Sequence, residues 1–513
     1  MARNSRVKLS RSTLLRRAAT WFIPGGRGSC RTKTKLGRSL SLPFESQAGS
    51  FQSAASLSIV RTIIVAFRSA KVALFRGAKS DNRTVIYRTT LNLWRTIFTL
   101  TLLATAGCSP NPTSKSTNQP IESPGAIATV PSPKAPTFES SIDLNALLAA
   151  RLSTAELDDG WIRLFDSCTL MGWRETSKAN WTVEEGAISV SEGEPGFLVT
   201  TSRFGDFELR LEYSASASTN SGLFLRTIAE PKQVERDCFE LNIAPTDNPF
   251  PTGSLVGRER VEPDKIGILD EAEWHIVHAM CDGKRIQTWI DGKIASDYED
   301  TSDCKSGLLG LQFREGAIKF RDIRIRPISY SVLPAESLDG WQASPGEAMT
   351  AVRTEAGGIE LKGGKGSMEL LQNLGDFSLQ ATIFVESPDT NSGIFLRCIP
   401  GQEMNGYECQ VHHGFIEDRR VPKDAGMGAI FRRQPARAVL SEAGQPTHVT
   451  VIADGPHFAT WVEGVQVVDW TDTRDSKENP REGLRLESGT IQFQGHDPTT
   501  AATFQSLLIS PIP

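Results

Sequence analysis

From about residue 157 onward, apolar and polar residues alternate in short runs that Gly, Asp and Asn interrupt. In the segment 206–213, Phe207, Leu209 and Leu211 fall on one side of an extended chain, with charged residues between them. A period of two indicates a half-buried strand of an antiparallel sheet. Asp291-Gly292 lies between two such runs and predicts a two-residue hairpin turn. Long helical periods are missing from this region, so we predict an all-β fold.

The second half of this region repeats the first. Gly-Asp-Phe at 205–207 recurs at 375–377, and Asn-Ser-Gly at 220–222 recurs at 391–393. The unit is far longer than the repeats of a solenoid, so it corresponds to a duplicated domain. We predict two tandem β-sandwiches with many short strands. They span residues 157–328, called copy one below, and residues 336–512, called copy two.

Charge divides the chain into a basic N-terminal part and an acidic body. Residues 1–107 carry nineteen Lys and Arg against two acids, and the rest of the chain carries 37 basic and 58 acidic residues. Nucleic acid is negatively charged and binds to positively charged surfaces, so it is excluded as a partner of the acidic body. Neutral ligands such as sugars are left open.

The N-terminal part ends in features of an export signal. Arg88 and Arg95 precede a short apolar run, 97–106, and small residues follow up to Cys108. This order predicts a secretory signal, and the run is too short for a permanent membrane helix. Cys108 after Ala-Gly resembles a lipobox, in which the Cys is lipidated; an ordinary signal peptide is the alternative. We expect an exported protein, periplasmic or at the cell surface, whose only membrane contact is this lipid anchor.

The segments on either side of the signal have different explanations. Residues 1–85 are either a long targeting segment or a stretch upstream of the true translation start. Residues 108–156 are rich in Pro and Ser, a composition that predicts a flexible tether with a short helical turn at 143–154. Cys281/Cys304 and Cys398/Cys409 are candidate disulfides whose pairing the sequence leaves open.

Several longer motifs together resemble one family. They are GWIRLFDSCTLMGWR (160–174), GDFELRLEY (205–213), NSGLFLR (220–226) and TWIDGKIASDY (288–298) in copy one, and NSGIFLR (391–397), GYECQV (406–411) and FQGHD (493–497) in copy two. They are similar to the 3-keto-disaccharide hydrolase domain family. The resemblance implies two concanavalin-like jelly rolls. It also implies an enzyme that cleaves the glycosidic bond of 3-keto-disaccharides or 3-keto-glycosides by elimination and hydration.

Strand alternation selects candidate residues for a sugar site. If the polar faces of adjacent strands meet on the concave side of a sheet, they line a groove with an aromatic and several hydrogen-bonding groups, as a carbohydrate site requires. The residues that share such a face are Asn220, Phe224, Arg226, Glu240 and Asn242 in copy one, and Asn391, Phe395, Arg397, Glu408 and Gln410 in copy two. The alternative is that Arg226–Glu240 and Arg397–Glu408 are structural ion pairs.

The resemblance implies roles for these side chains. Elimination needs a general base, for which Glu240, Glu408 or His496 is suited, and a cation beside the enolate, for which Arg226 or Arg397 is suited. The remaining candidates for substrate binding are Tyr407, Gln312 and Gln494. Copy two has Tyr407 and His496 where copy one has Phe239 and no His, so catalysis is expected in copy two.

A divalent metal is an open question at this stage. His413, Glu408 and His496 are its candidate ligands, although their spacing is not an established metal motif. Without a metal, no cofactor is implied. The competing functions are a non-catalytic protein that binds carbohydrate at the cell surface, and a pair of scaffold sandwiches with no sugar site.

Overall fold

The computed structural model describes residues 142–267, 269–344 and 349–513. The expected signal, the lipidation site Cys108 and most of the tether lie outside these residues. Within them, no helix is long and apolar enough to span a membrane. The described chain is almost entirely β-structure with a few short helices, which confirms the predicted fold class.

Copy one is a sandwich of two antiparallel sheets. Its strands are β1 Ile162–Arg163, β2 Trp173–Glu175, β3 Thr182–Glu184, β4 Ala187–Val190, β5 Gly196–Thr200, β6 Phe207–Ala215, β7 Ser221–Thr227, β8 Phe239–Ile243, β9 His275–Asp282, β10 Arg285–Ile290, β11 Lys293–Glu299, β12 Leu308–Phe313 and β13 Ile318–Pro327. The long sheet has the order β11-β10-β9-β6-β13-β4-β3, with β1 beside β13, and the short sheet has the order β2-β5-β12-β7-β8.

Copy two repeats this topology. Its strands are β14 Tyr330–Leu333, β15 Trp341–Ala343, β16 Thr350–Arg353, β17 Ile359–Lys362, β18 Gly366–Leu374, β19 Phe377–Val385, β20 Ser392–Cys398, β21 Tyr407–Val411, β22 Phe415–Ile416, β23 Asp418–Pro422, β24 Thr447–Asp454, β25 His457–Val462, β26 Val465–Thr471, β27 Gly489–Gly495 and β28 Ala501–Pro511. The long sheet has the order β16-β17-β28-β19-β24-β25-β26, with β14 beside β28. The short sheet has the order β15-β18-β27-β20-β21.

An arginine interrupts the alternation at the same point of both copies. Arg226 in β7 and Arg397 in β20 have positive φ angles of 50° and 49°, and the register with the neighbouring strand slips there. This irregularity is a β-bulge, which re-aims a side chain. Each buried guanidinium reaches the long sheet of its copy. Arg226 contacts Asp206, just before β6, and Arg397 contacts Asp376, just before β19, both at 2.5 Å.

The two sandwiches pack directly against each other. Ile452, Ala459 and Trp461, on the outer face of the long sheet of copy two, belong to the apolar core of copy one. Asp166 of copy one and Arg437 of copy two form a buried ion pair of 2.7 Å across this contact. Each copy therefore keeps its own core, and side chains of copy two extend the core of copy one.

The helices are short and lie outside the sheets. They are α1 Leu144–Ala149, α2 Thr154–Asp158, α3 Val234–Asp237 and α4 Pro263–Ile266, with a 3₁₀ turn at Lys423–Ala425. Asp143 caps α1 by accepting hydrogen bonds from two backbone N–H groups, and Ser153 and Glu156 form a capping box on α2. Leu147 of α1 is fully buried in the core of copy two. The packed body thus begins before residue 157 and includes the end of the segment expected to be a tether.

Removing the ion pair between the sandwiches tests how much their contact stabilises the protein. We expect Arg437→Met to lower the free energy of unfolding by about 3–5 kcal/mol, because the substitution leaves the Asp166 carboxylate buried without a counter-charge. Urea denaturation of the full chain measures this change. The matched control is Arg285→Met, which breaks the exposed Arg285–Asp297 pair and should cost under about 1 kcal/mol. Equal losses in the two variants would contradict the proposed role of the interface.

Candidate functional site

The short sheet of copy two presents polar side chains on the face opposite its core. Tyr407 and Cys409 of β21 point into the apolar core, so the alternation directs Glu408 and Gln410 to the opposite face, called the concave face below after the expectation from the sequence. Phe395 of β20 lies directly opposite Glu408 in the register. The predicted grouping of Phe395, Glu408 and Gln410 on one face is therefore confirmed.

The glycine of the Asn-Ser-Gly motif leaves room for the glutamate. A Cβ atom at Gly393 would lie 3.1 Å from Cγ of Glu408, and one at Gly222 would lie 3.4 Å from Cγ of Glu240. Cβ contacts this short are uncommon, so a side chain at either position would press on the carboxylate-bearing chain. The repeated Asn-Ser-Gly and the repeated Glu are thus one structural unit.

Glu408 is buried beneath the polar side chains of this face, a position called the recess below. Its residue exposure is 6%, and burial raises the pKa of its carboxyl to about 7, although the charges of Arg481, His496 and Arg432 lower it. The nearest of these charges is Arg481, whose Nη1 lies 3.9 Å from Oε2 of Glu408. A carboxyl with a pKa near neutrality can take up and release a proton at physiological pH.

Polar groups form the rim of this recess. The side-chain oxygen of Asn391 accepts a hydrogen bond from Gln410 at 3.3 Å, and its amide donates to Asp424 at 3.2 Å. His496 is half-buried, and its Nδ1 lies 2.8 Å from Oδ2 of Asp497. The Oε1 atoms of Gln410 and Gln494 are buried and have no partner within the described residues. Both atoms lie below the accessible surface, so Asn391 and His496 are the polar groups that a ligand would reach first.

The same face of copy one carries different side chains around its glutamate. Burial also raises the pKa of Glu240 to about 7, and the charge of Arg314 offsets part of this rise. Strand register places Arg314 where copy two has His496, because Gln312 and Gln494 occupy equivalent positions. The aromatic side chain open to solvent here is the half-buried Phe197.

Two predicted arginines lie elsewhere. Arg226 and Arg397 do not share a face with Phe224 and Phe395, because the bulge turns each guanidinium toward the facing sheet. Both expectations about them are wrong, since neither the groove placement nor an ion pair with Glu240 or Glu408 is found. Arg397 donates instead to Asp376 and to the carbonyls of Gly455 and Arg485.

Other predicted binding residues are already engaged with the protein. Tyr407 lies on the core side of its strand, where its hydroxyl donates to Asp472 at 2.8 Å, because residues 407 and 408 must face opposite ways. Phe395 is fully buried beneath the guanidinium of Arg481, 5.5 Å from the ring centroid.

In copy one, the corresponding groups are also engaged. Phe224 is covered by the edge of Phe197, with ring centroids 4.7 Å apart, and the Asn242 amide donates to the carbonyl of Phe250. Asn220 is half-buried and pairs through its backbone with Glu315. These placements leave Phe197, rather than Phe224, as the aromatic surface that a ligand can reach.

The candidate metal ligands do not converge. His413 is buried and bonds Ser441 through Nδ1 at 2.9 Å, and burial lowers the pKa of its imidazole to about 4. Within residues 142–267, 269–344 and 349–513, no three His, Cys, Asp or Glu side chains are grouped to hold a metal ion. The proposed set of His413, Glu408 and His496 is therefore wrong as a group, and a metal requirement stays a prediction. The six described cysteines are free thiols.

Sequence reasoning missed the cations that surround Glu408. Arg481 belongs to the connection 472–488, which copy one replaces with the shorter 300–307. Arg432 has a φ of 60°, and the equivalent position in copy one is Gly257, with a φ of 72°. A non-glycine residue in this conformation is uncommon and clusters at functional sites. The signal in the sequence was the difference between the copies, not their similarity.

Comparison with known proteins identifies the family. The model of the 3-keto-alpha-glucoside-1,2-lyase-like domain family matches residues 160–326 and 330–509, so the chain belongs to this family in both copies. A relative from Bacteroides thetaiotaomicron, named 3-keto-disaccharide hydrolase, is 34% identical over 94 residues. That match covers 15% of this chain and 32% of the relative, so it spans about a third of the relative's length.

Two solved structures are similar to part of the chain. A Parabacteroides distasonis protein, named a candidate glycosyl hydrolase, has 19% identity and a TM-score of 0.29, and the match covers 35% of this chain and 99% of that protein. A carbohydrate binding module from Bacillus subtilis has 14% identity and a TM-score of 0.25, with 30% and 95% covered.

The raised pKa of Glu408 gives a prediction for stability. A carboxyl with a folded pKa of about 7 and an ordinary value of 4.5 destabilises the fold increasingly as pH rises from 4.5 to 7. We expect Glu408→Gln to raise the free energy of unfolding by up to about 3 kcal/mol over the parent at pH 8, and to leave it unchanged at pH 4. Urea denaturation at both pH values measures this. Glu194→Gln, at an exposed position, should show no such dependence, and a pH-independent Glu408→Gln effect would contradict the assignment.

Proposed function

We propose that this protein is a hydrolase that cleaves the glycosidic bond of 3-keto-disaccharides or 3-keto-glycosides, with its active site in copy two. The observation that carries the proposal is Glu408, a buried carboxyl with a pKa of about 7 whose side chain lies 3.9 Å from the guanidinium of Arg481. A base and a cation in this proximity suit a reaction that begins by removing a proton next to a ketone.

The first step is proton abstraction. The ketone at carbon 3 of the sugar acidifies the hydrogen on carbon 2. The Glu408 carboxylate takes that proton, and the electrons of the C–H bond form an enolate whose oxygen becomes negative. Arg481 stabilises this charge, taking the role that the sequence suggested for Arg397. Because Glu408 is buried, such a contact is stronger than it would be in solution.

The second step expels the aglycone. Collapse of the enolate breaks the bond between carbon 1 and the glycosidic oxygen and leaves a double bond between carbons 1 and 2. His496, positioned by Asp497 at 2.8 Å, donates a proton to the departing oxygen. Water then adds across the double bond: His496, now neutral, takes a proton from the water as hydroxide bonds to carbon 1, and Glu408 returns its proton to carbon 2. Asn391, which the buried Gln410 holds at 3.3 Å, binds a sugar hydroxyl.

A second candidate function, carbohydrate binding without catalysis, is favoured for copy one. Arg314 replaces His496 there, and the connection that supplies Arg481 is shortened. The half-buried Phe197 offers an aromatic surface, which is a common feature of sugar-binding sites. We propose that copy one holds carbohydrate and copy two cleaves it. Export and a lipid anchor at Cys108 belong to the same proposal, because they would place the site outside the cytoplasm.

Product analysis tests the proposed activity. The full chain incubated with 3-keto-trehalose should release free aglycone sugar, and Glu408→Gln should lower kcat roughly 100- to 10,000-fold, the range typical of a lost general base. The matched control is Glu240→Gln, which makes the same change in copy one and should leave kcat unaltered. If aglycone release matches the blank while glycans still bind, the hydrolase proposal is wrong and the binding function replaces it.

The pH dependence of kcat/KM tests the role of Arg481. Its charge lowers the pKa of Glu408, so Arg481→Met should shift the rising limb of the pH profile, near pH 7 in the parent, to higher pH. Loss of enolate stabilisation should also lower kcat roughly 100-fold or more. Arg474→Met is the control, because Arg474 pairs with Asp472 in the same connection. A pH limb that stays in place would show that Arg481 does not act on Glu408.

A further inference from the structure

A loop crosses the concave face of copy two. Residues 399–406, called the strap below, connect β20 to β21, but they fold back over the inner strands of the sheet. The N–H of Gly401 donates to the Glu369 carboxylate at 3.3 Å, and the N–H of Met404 donates to Oε1 of Gln492 at 2.7 Å. The Gln492 amide in turn donates to the carbonyl of Gln402 at 3.0 Å. The strap is therefore fastened across β27 and β18.

The strap reaches the edge of the recess above Glu408. The Gln494 amide lies 3.2 Å from Sδ of Met404, and Nη1 of Arg481 donates to the Met404 carbonyl at 3.0 Å. Glu369 and Gln492 are 6% and 1% exposed beneath it. The part of the face formed by β18 and β27 is thus covered, whereas Asn391 and His496 beside Glu408 are half-buried and Asp424 is exposed.

Copy one lacks both anchors of the strap. The register of its short sheet places Val199 where copy two has Glu369, and Gly310 where copy two has Gln492. Neither Val nor Gly has a side chain that can hydrogen-bond a loop. Its connection 228–238 bonds to itself, through Asp237 and the backbone of Ile228, Lys232 and Gln233. Its concave face therefore stays open at Phe197 and Gln312.

From this difference we infer that the strap makes copy two specific for the end of a glycan chain. The inference rests on the proposed function, and it specifies which sugar residue of a glycan chain is cleaved off. The oxidised sugar occupies the enclosed side of the recess, next to Glu408 and the strap, while the aglycone lies toward the open rim, because it must leave. A sugar attached to the far side of the oxidised residue would have to pass through the strap. The cleaved residue must therefore be terminal.

The experiment compares two substrates. One is a 3-keto-disaccharide whose oxidised residue is terminal, and the other is a trisaccharide in which the same oxidised residue is the middle one. We expect the full chain to favour the first by roughly 100-fold or more in kcat/KM, since exclusion is steric. Glu369→Val combined with Gln492→Gly, which are the residues of copy one, should release the strap and reduce the preference to below about tenfold.

Controls separate a released strap from a damaged fold. Gln372→Gly changes an exposed residue of the same strand, β18, and should leave the preference intact. Met404→Ala, which removes the strap's side chain next to Gln494 without touching either anchor, should relax the preference in the same direction if the double variant does not fold. A folded double variant that keeps the full preference, or a parent that cleaves both substrates equally, overturns the inference.

Binding provides a readout independent of turnover. Calorimetry with the same two sugars measures it in a Phe197→Ala background, which removes the open aromatic of copy one. With the strap in place, the protein should bind the disaccharide more tightly than the trisaccharide. With the strap released by the double substitution, the two affinities should be similar. If the parent cleaves neither sugar, the proposed function fails, and these affinities still decide the inference. Equal affinities of the parent for the two sugars would overturn it.

Discussion

The fold of both copies depends on one buried arginine that ties the short sheet to the long sheet. Arg226 and Arg397 occupy a bulge with positive φ and contact Asp206 and Asp376 at 2.5 Å. The neighbouring strand must pass without a side chain, because a Cβ at Gly489 would lie 2.5 Å from the carbonyl carbon of Arg397. A buried cation without its partner is costly, so the Arg, the Asp and the glycines are retained together. Most of the repeated motifs therefore serve the sandwich itself.

The site uses this scaffold but is completed by residues that are not repeated. The Gly-Glu pair is present in both copies, and burial raises the pKa of Glu240 and of Glu408 to about 7. The cations around Glu408 and the strap come from connections and anchors that only copy two has. The duplication thus produced two sheets with similar faces, and the loops next to these faces diverged. A single buried carboxyl became part of a charged recess in one copy and of an open face in the other.

The contact between the copies makes their divergence a property of one body. Trp461 of copy two is buried in the core of copy one, and Arg437 pairs with Asp166 at 2.7 Å. This apolar contact and the buried ion pair hold the two sandwiches in a fixed relation, unlike domains joined by a linker alone. The face proposed to bind carbohydrate and the site proposed to cleave it are therefore held at a constant separation.

The sequence alone determined the all-β class, the duplication and the faces of Glu408, Gln410 and Phe395, because strand alternation and repeats are local properties of the chain. It also contained the family motifs that the comparison confirmed. The placement of Arg397, Tyr407 and the partners of Glu408 was decided only by tertiary structure. A bulge reverses alternation through a single backbone angle, and Arg481 approaches Glu408 from a connection distant in sequence. Neither effect leaves a periodic signal, so the repeat identified the scaffold, and the candidate site became visible only in the folded chain.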